Sequence, residues 1–147
     1  MIGLISDTHG LLRPEAIAAL RGVERICHMG DVGGPEILEE LARIAPVDAV
    51  RGNVDHGAWC RALPETLVVE RDGLRIFLLH DLAALDLDPA AAGIRVVLYG
   101  HTHVPCSEEK DGVLFANPGA AGPRRFDLPV SVALLEAGPR VRFVTIA

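Results

Sequence analysis

The 147-residue sequence has no apolar run of the roughly 18 residues that a membrane-spanning helix needs. Its first residues, "MIGLISDTHG", lack a basic segment and reach a charge at Asp7, so they predict a buried strand and not a signal peptide. The three cysteines (Cys27, Cys60 and Cys106) show no CxxC spacing, which favours reduced thiols over disulfides or a cysteine zinc site. We therefore expect a cytoplasmic protein without membrane contact.

Positive charge and aromatic side chains are also scarce. The formal net charge is −6 at pH 7, the isoelectric point is about 5.4, and aromatic residues make up 4% of the chain. General nucleic-acid binding needs a positive field, and binding of single strands also uses aromatic side chains that stack on the bases. The composition excludes such a protein, but it allows a small phosphate-ester substrate if a local positive group binds it.

The apolar residues, 50% of the chain, can build one core, and we predict a single domain over residues 1–147. Strands at "MIGLIS", "ERICHM" and "VDAVR" alternate with helices that begin at Pro14 and Pro35, which predicts parallel pairing. Asp-Gly turns at 72–73 and 111–112 predict hairpins, so the second half should be mostly antiparallel, with a short helical stretch near "LDPAAAG". The pattern predicts an α/β domain with two sheets and helices on their outer faces.

Polar clusters follow the predicted core strands. All six histidines lie in these clusters, although His28 itself stands on the second strand. In α/β sheets, ligands bind beyond the carboxyl ends of the strands, so the clusters should converge on one rim. The clusters are Asp7 and His9; His28 and Asp31; Asn53, Asp55 and His56; His80 and Asp81; and His101 and His103.

The spacing and type of these residues favour metal binding. Residues two apart on an extended segment point the same way, so Asp7 and His9 should aim at one point, as should His101 and His103. Carboxylate, imidazole and amide ligands suit Mn, Fe, Zn or Ni better than Ca. The charges of Asp7 and Asp31 would leave two divalent ions with enough positive charge to hold a phosphate.

The same residues appear in the order of a known family pattern. "DTH", "GD", "GN", "LLH" and "GHTH" stand between Asp7 and His103, and "NPGA" follows in weaker form at 117–120. This sequence resembles the calcineurin-like metallophosphoesterase superfamily, and its length and hairpin resemble the small bacterial and archaeal phosphodiesterases. The resemblance implies two mixed β-sheets packed as a sandwich and flanked by helices in four layers.

The resemblance also implies a mechanism and a set of ligands. A hydroxide held by two divalent ions, with Mn²⁺ favoured over Ni²⁺, Zn²⁺, Fe²⁺ or Mg²⁺, would attack a phosphodiester in line. Asp31, Asn53 and His101 would take direct parts in catalysis. The implied ligands are Asp7, His9 and His103 for the first ion, Asn53, His80 and His101 for the second, and Asp31 between the two.

Two positions depart from the family pattern. Val54 stands where many members carry a histidine that serves as general acid or hydrogen-bond donor, and Asp81 stands where glycine is common. His56 is either an exposed loop histidine or a substrate contact that replaces the missing acid, with Asp55 beside it. Asp81 either orients an imidazole or narrows the cleft, and His28 is expected behind the ligands or in the packing.

Other functions remain open from the sequence. The same fold can serve as an interaction scaffold with little catalysis, although such a protein would be expected to lose ligands. A phosphomonoesterase or nucleotide pyrophosphatase would differ only in substrate. The apolar strands of the C-terminal half leave pairing in a homo-oligomer open.

Overall fold

Ten strands form two mixed five-stranded sheets, described for all residues 1–147 in a computed structural model. The strand order is β10-β9-β1-β2-β3 in the first sheet and β4-β5-β6-β8-β7 in the second. The predicted pair of mixed sheets is therefore confirmed. The strands are β1 (Ile2–Ile5), β2 (Arg25–His28), β3 (Val47–Ala49), β4 (Thr66–Arg71), β5 (Leu74–Leu79), β6 (Val96–Leu98), β7 (Cys106–Lys110), β8 (Val113–Asn117), β9 (Ser131–Glu136) and β10 (Arg140–Thr145).

The first half of the chain follows the predicted alternation. Helices α1 (Pro14–Ala19) and α2 (Pro35–Ala42) each begin with a proline, whose fixed φ suits the first turn. The β1–β2 and β2–β3 pairs are parallel, as predicted. Ile37 and Leu41 of α2 are buried, so this helix packs an apolar face onto the domain. Neither helix has the length and apolar character needed to cross a bilayer.

The second half is mostly antiparallel, as predicted, but the central pairs of the second sheet are parallel. The β4–β5 and β7–β8 hairpins are antiparallel, as the Asp-Gly turns indicated, and β9 and β10 pair antiparallel within the first sheet. However, β6 pairs parallel with both β5 and β8. A β-hairpin turn fixes only the strands that it joins, so it left the pairing of these central strands open. The second sheet therefore has a parallel centre, whereas in the first sheet the parallel strands β1, β2 and β3 form one half.

The helical cover differs between the two sheets: α-helices lie on the first, and a 3₁₀ helix lies on the second. Helices α1 and α2 pack on the first sheet, whereas Leu82 and Leu85 pack on a cluster that includes Phe77 of the second. Residues 82–84 form a 3₁₀ helix, and the predicted helical stretch "LDPAAAG" forms hydrogen-bonded turns. Gly93 adopts a positive φ of 75°, which turns the chain towards β6 instead of extending a helix.

Candidate metal centre

The loops that follow the parallel strands carry the predicted ligands. Asp7, Asp31 and His80 follow β1, β2 and β5, and His101 and His103 follow β6. Asp7, Asp31, His80 and His103 are buried, although charged and imidazole side chains are rarely buried without partners. The parallel strands of both sheets therefore deliver polar groups from distant parts of the sequence to one region.

The backbone at the ligands is not extended, which corrects the argument from spacing. The φ angles of Asp7 and His9 are 54° and 46°, that of Asp31 is 54°, and those of His101 and His103 are 73° and 66°. Such left-handed conformations cost about 1–3 kcal/mol each outside glycine and cluster at functional sites. Tight turns therefore set the directions of these side chains. The alternation of side chains along an extended strand does not apply to them.

The first group of side chains comes from the first motif, "DTH", and from the histidine motif "GHTH". Asp7 Oδ1 lies 3.3 Å from His103 Nε2 and 3.7 Å from His9 Nε2. One ligand atom from each of these residues lies within 4.8 Å of the others, a spacing that one metal ion can bridge. This group has the composition predicted for the first ion.

The second group is centred on Asp31. Its Oδ2 lies 3.2 Å from His80 Nε2, and His80 Nε2 lies 3.9 Å from Asp7 Oδ1. The Nδ1 atom of His80 donates to the backbone carbonyl of Met29 at 2.7 Å, which leaves Nε2 as the free acceptor of a neutral ring. Asp7, Asp31 and His80 thus form a second group with metal-ligand spacing, and Asp7 belongs to both groups.

Asn53 and His101 lie at the exposed edge of the second group. His101 Nδ1 lies 3.2 Å from Asn53 Oδ1, and the His101 ring stands edge-on to His80 at a centroid distance of 5.2 Å. Asp81 Oδ2 lies 3.8 Å from His101 Nε2, while Asp81 Oδ1 accepts the amide of Ala83. The structure therefore places Asp81 near the imidazole of His101 but without a hydrogen bond to it, so its two predicted roles stay open.

The electrostatics of the centre favour charged carboxylates. Burial acts to raise the pKa of Asp7, but the nearby imidazoles of His103 and His9 and the hydrogen bond from Ser6 outweigh it and hold that pKa well below its usual range. The pKa of Asp31 is also lowered. Burial acts to raise it, but His80 and the hydrogen bond from the Val54 amide outweigh burial. The pKa of His80 is raised. Burial acts to lower it, but the contacts of the ring with Asp31 and with the carbonyl of Met29 outweigh burial. The centre is therefore built to attract positive charge.

The donor set fits divalent ions. Asp7 Oδ1, His9 Nε2, His80 Nε2 and His103 Nδ1 are buried atoms without a hydrogen-bond partner in the protein. Buried polar atoms are almost always hydrogen-bonded, and three of these unpaired atoms, Asp7 Oδ1, His9 Nε2 and His80 Nε2, face one another, which indicates a ligand between them. Carboxylate oxygens and imidazole nitrogens are ligands that Mn, Fe, Zn and Ni accept.

Comparison with known proteins agrees with this geometry. The calcineurin-like phosphoesterase superfamily domain matches residues 1–139. The chain belongs to this superfamily. Members of the superfamily are metallophosphoesterases, which bind divalent metal ions, and the side chains described above supply candidate ligands for them.

Three relatives place the chain among small superfamily members. A protein of Methanothermobacter thermautotrophicus named "Probable metallophosphoesterase" is 36% identical over 149 residues, covering 92% of this chain and 86% of the relative. A phosphodiesterase of Methanocaldococcus jannaschii is 32% identical, covering 80% of this chain and 82% of its own. The solved structure of an archaeal phosphodiesterase has a TM-score of 0.83, 28% identity and 98% coverage of both chains.

His28 supports the loops that carry the candidate ligands from behind. It is fully buried, its Nε2 lies 3.0 Å from Thr8 Oγ1, and its Nδ1 accepts the Gly30 amide at 3.1 Å. Thr8 donates its hydroxyl proton to Val32 O, so it accepts the proton of His28 Nε2. His28 is therefore a neutral bridge between the "DTH" and "GD" loops, as its predicted place behind the ligands required.

Asp55 holds the "GD" and "GN" loops together. Its buried carboxylate accepts three backbone amides, from Val32 at 3.2 Å, Gly33 at 3.1 Å and Gly52 at 3.0 Å. Next to it, the amide of Val54 donates to Asp31 Oδ1 at 3.0 Å. Asp55 therefore acts through the backbone and belongs to neither of the two groups with metal-ligand spacing.

His56 is exposed and lies outside the two metal-ligand groups. Its Nδ1 lies 2.8 Å from the carbonyl oxygen of Val54, while the Val54 side chain is 45% exposed and offers no proton. This contact fixes the ring beside the position that the family pattern gives to histidine. The structure thus places the imidazole of His56 near Val54, two residues after the position at which the family pattern has histidine.

Contacts that sequence reasoning missed complete the centre. Ser6 Oγ donates to Asp7 Oδ2 at 2.7 Å, and the His101 amide donates to the same oxygen at 3.1 Å. A side chain at Gly100 would collide with Ser6 Oγ and Asp7 Oδ2, so this close approach requires glycine. Asn117, fully buried, donates to Gly100 O at 3.0 Å and fixes the same loop. The signals available in the sequence were the serine directly before Asp7 and the asparagine of "NPGA".

Acid should destabilise the protein through His28. Burial lowers the pKa of His28 to about 4 from an ordinary 6.5, so between these values the unfolded state binds a proton that the folded state does not. The free energy of unfolding should fall by about 3 kcal/mol as the pH drops through this window. Urea unfolding of the chelator-treated protein from pH 7 to pH 4.5 measures it.

The variant His28→Gln supplies the control, because glutamine keeps hydrogen-bonding capacity but does not titrate. The pH slope of wild type minus variant isolates the contribution of His28 from that of the other histidines. Identical slopes for the two proteins would contradict the buried, neutral state of this ring.

Proposed function

We propose that the protein is a metal-dependent phosphoesterase that hydrolyses phosphodiesters in preference to monoesters. The observation that carries this proposal is the pair of metal-ligand groups that share Asp7. Two groups joined by one carboxylate suit two neighbouring ions, and two-ion sites are typical of phosphoester hydrolysis. The names of the archaeal relatives, a metallophosphoesterase and a phosphodiesterase, support the same reaction class.

The residues that would hold the ions are those implied by the family pattern. Asp7, His9 and His103 would bind one ion, and His80, Asn53 and His101 would bind the other, with Asp31 between them. Two divalent ions, with Mn²⁺ favoured, would supply a hydroxide nucleophile at neutral pH and neutralise the phosphoryl oxygens. The negative charge kept on Asp7 and Asp31 by their lowered pKa values supports this binding.

The side chains of the protein would position the ester around these ions. Asn53 and His101, which touch at the exposed edge of the centre, would face the incoming phosphate. Val54 cannot donate a proton to the leaving oxygen, and His56 is the nearest imidazole along the chain. Since general acid catalysis contributes about 10²–10⁴ in rate, we propose that the enzyme favours activated leaving groups, with His56 as the proton donor for others.

Hydrolysis of nitrophenyl phosphates tests the proposed function. Purified protein should release nitrophenol from bis-p-nitrophenyl phosphate after incubation with Mn²⁺, Ni²⁺, Zn²⁺ or Mg²⁺, and more slowly from p-nitrophenyl phosphate. Chelation should abolish both activities, and Mn²⁺ should restore them. Stoichiometric metal binding without hydrolysis of either ester would contradict the proposal and favour the scaffold alternative.

The rate of hydrolysis should fall on acidification. Histidines bind metal only when neutral, and the raised pKa of His80 means that protons compete for its Nε2 at a higher pH than for an ordinary histidine. Higher metal concentration should therefore move the acidic limb of the kcat/KM profile to lower pH. A rate that rises steadily towards pH 5, at any metal concentration, would contradict these ligands.

A further inference from the structure

A cavity of about 510 Å³ adjoins the candidate metal centre on the side of the second group. Asn53, His80 and Asp81 line its inner side. His80 is 5% exposed and its Nε2 has no hydrogen-bond partner, so a residue of the centre also lines this space. A phosphodiester whose phosphate sits at the centre must place its ester groups somewhere, and this cavity begins within reach.

The floor of the cavity is apolar. Phe77 and Leu79 of β5 are 5% and 2% exposed, and Leu87 from the loop after β5 is 38% exposed and closes one side. Such a surface favours methylene and methyl groups, because their contact with it removes apolar area from water. The floor alone does not choose between charged and neutral alcohols.

The walls of the cavity carry an excess of negative charge. Glu65, Asp81 and Asp86 line it, and Arg51 is the one lysine or arginine among the lining residues. Arg51 is already paired with Glu65, at 3.1 Å between its terminal nitrogen and Oε1. This leaves Asp81 and Asp86 as uncompensated charges that would attract a cation and repel a second phosphate.

We propose that this cavity binds the ester substituent that stays on phosphorus, and that it selects alcohols carrying an ammonium group. An alkylated ammonium alcohol combines apolar methyl groups for the floor with a positive charge for the walls. The inference rests on the proposed function, because it assigns a substrate class to the same centre. Hydrolysis itself adds water across one P–O bond, and the departing alcohol takes the proton.

Two isosteric substrates test the selection by charge alone. The two substrates are p-nitrophenyl phosphorylcholine and 3,3-dimethylbutyl p-nitrophenyl phosphate, which release the same nitrophenol. They differ only in the atom that carries the three methyl groups, a charged nitrogen in the first and a neutral carbon in the second. We expect kcat/KM to be about tenfold higher for the cationic ester at low salt, mainly through KM, and the preference to shrink with salt. Equal kcat/KM values for the two esters would overturn this inference and leave the proposed function standing, whereas hydrolysis of neither would contradict the proposed function.

Two aspartates in one loop provide matched variants. Asp86→Asn removes a charge from the cavity wall and should lower the preference for the cationic ester by about threefold, as expected for one charge in a solvent-like dielectric. Asp88→Asn removes the same charge two residues later, where the side chain lines a different cavity, and should leave the preference unchanged. Equal losses in both variants, or no loss in Asp86→Asn, would contradict selection by this cavity.

Discussion

Replacing Asp31 by asparagine should lower the metal-dependent kcat/KM for a phosphodiester by about 10³-fold, more than the roughly 10–100-fold typical of residues that only orient a ligand. Asp31 Oδ2 faces His80 Nε2 at 3.2 Å, at the junction of the predicted ions. The variant removes a negative charge from this junction but keeps an oxygen for the Val54 amide that Asp31 Oδ1 accepts. Steady-state kinetics and the metal content of the purified variant measure the effect together.

The matched control for this variant is Asp72→Asn. Asp72 has a φ of 53°, nearly that of Asp31 at 54°, but it lies exposed in the turn between β4 and β5. Both variants lose one charge at the same backbone conformation, and asparagine tolerates that conformation well. Full activity in Asp31→Asn, or an equal loss in Asp72→Asn, would contradict the central place given to Asp31.

Replacing Asp55 by alanine should lower the free energy of unfolding by about 3 kcal/mol or more. The variant leaves three backbone amides, those of Val32, Gly33 and Gly52, without their acceptor, and each unsatisfied buried donor costs roughly 1–3 kcal/mol. Chemical unfolding in the presence of chelator measures the loss without a contribution from metal binding. Hydrolysis should fall as well, because the same amides fix the loops of Asp31 and Asn53.

Asp88→Ala provides the control for this loss of stability. The exposed Asp88 accepts one backbone amide, from Ala91, at 3.4 Å, and its replacement should change the free energy of unfolding by no more than about 0.5 kcal/mol. A cost for Asp55→Ala that matches this small value would show that water replaces the carboxylate, and would remove Asp55 as the link between the two loops.

Local patterns predicted the elements better than their assembly. Pro14 and Pro35 marked the starts of both helices, and the two Asp-Gly turns marked both hairpins of the second sheet. Helix starts and two-residue turns depend on nearby residues only, which is why a sequence reveals them. The parallel pairing of β6 with β5 and β8 depends on contacts across long stretches of chain, and local patterns do not encode it.

The departures from the family pattern acquired physical roles only in three dimensions. From the sequence, Asp55 was only a neighbour of Val54 and His56, yet its carboxylate accepts backbone amides and holds two loops together. The sequence left two roles open for Asp81, orienting an imidazole or narrowing the cleft. The structure places it near His101 and on the wall of the adjoining cavity. Nothing in residue type distinguishes these placements, because each depends on the direction in which a loop turns.

The sequence by itself determined which groups are available for chemistry: its ordered aspartates, histidines and asparagine indicated a phosphoesterase and its metal ligands. The tertiary structure decided which of them meet, through the parallel strands of two sheets and through left-handed turns at Asp7, Asp31 and His103. It also decided that an acidic cavity lies beside them. The physical reason is that residue type fixes donor chemistry locally, whereas distances between donors arise only when long-range strand pairing closes the chain.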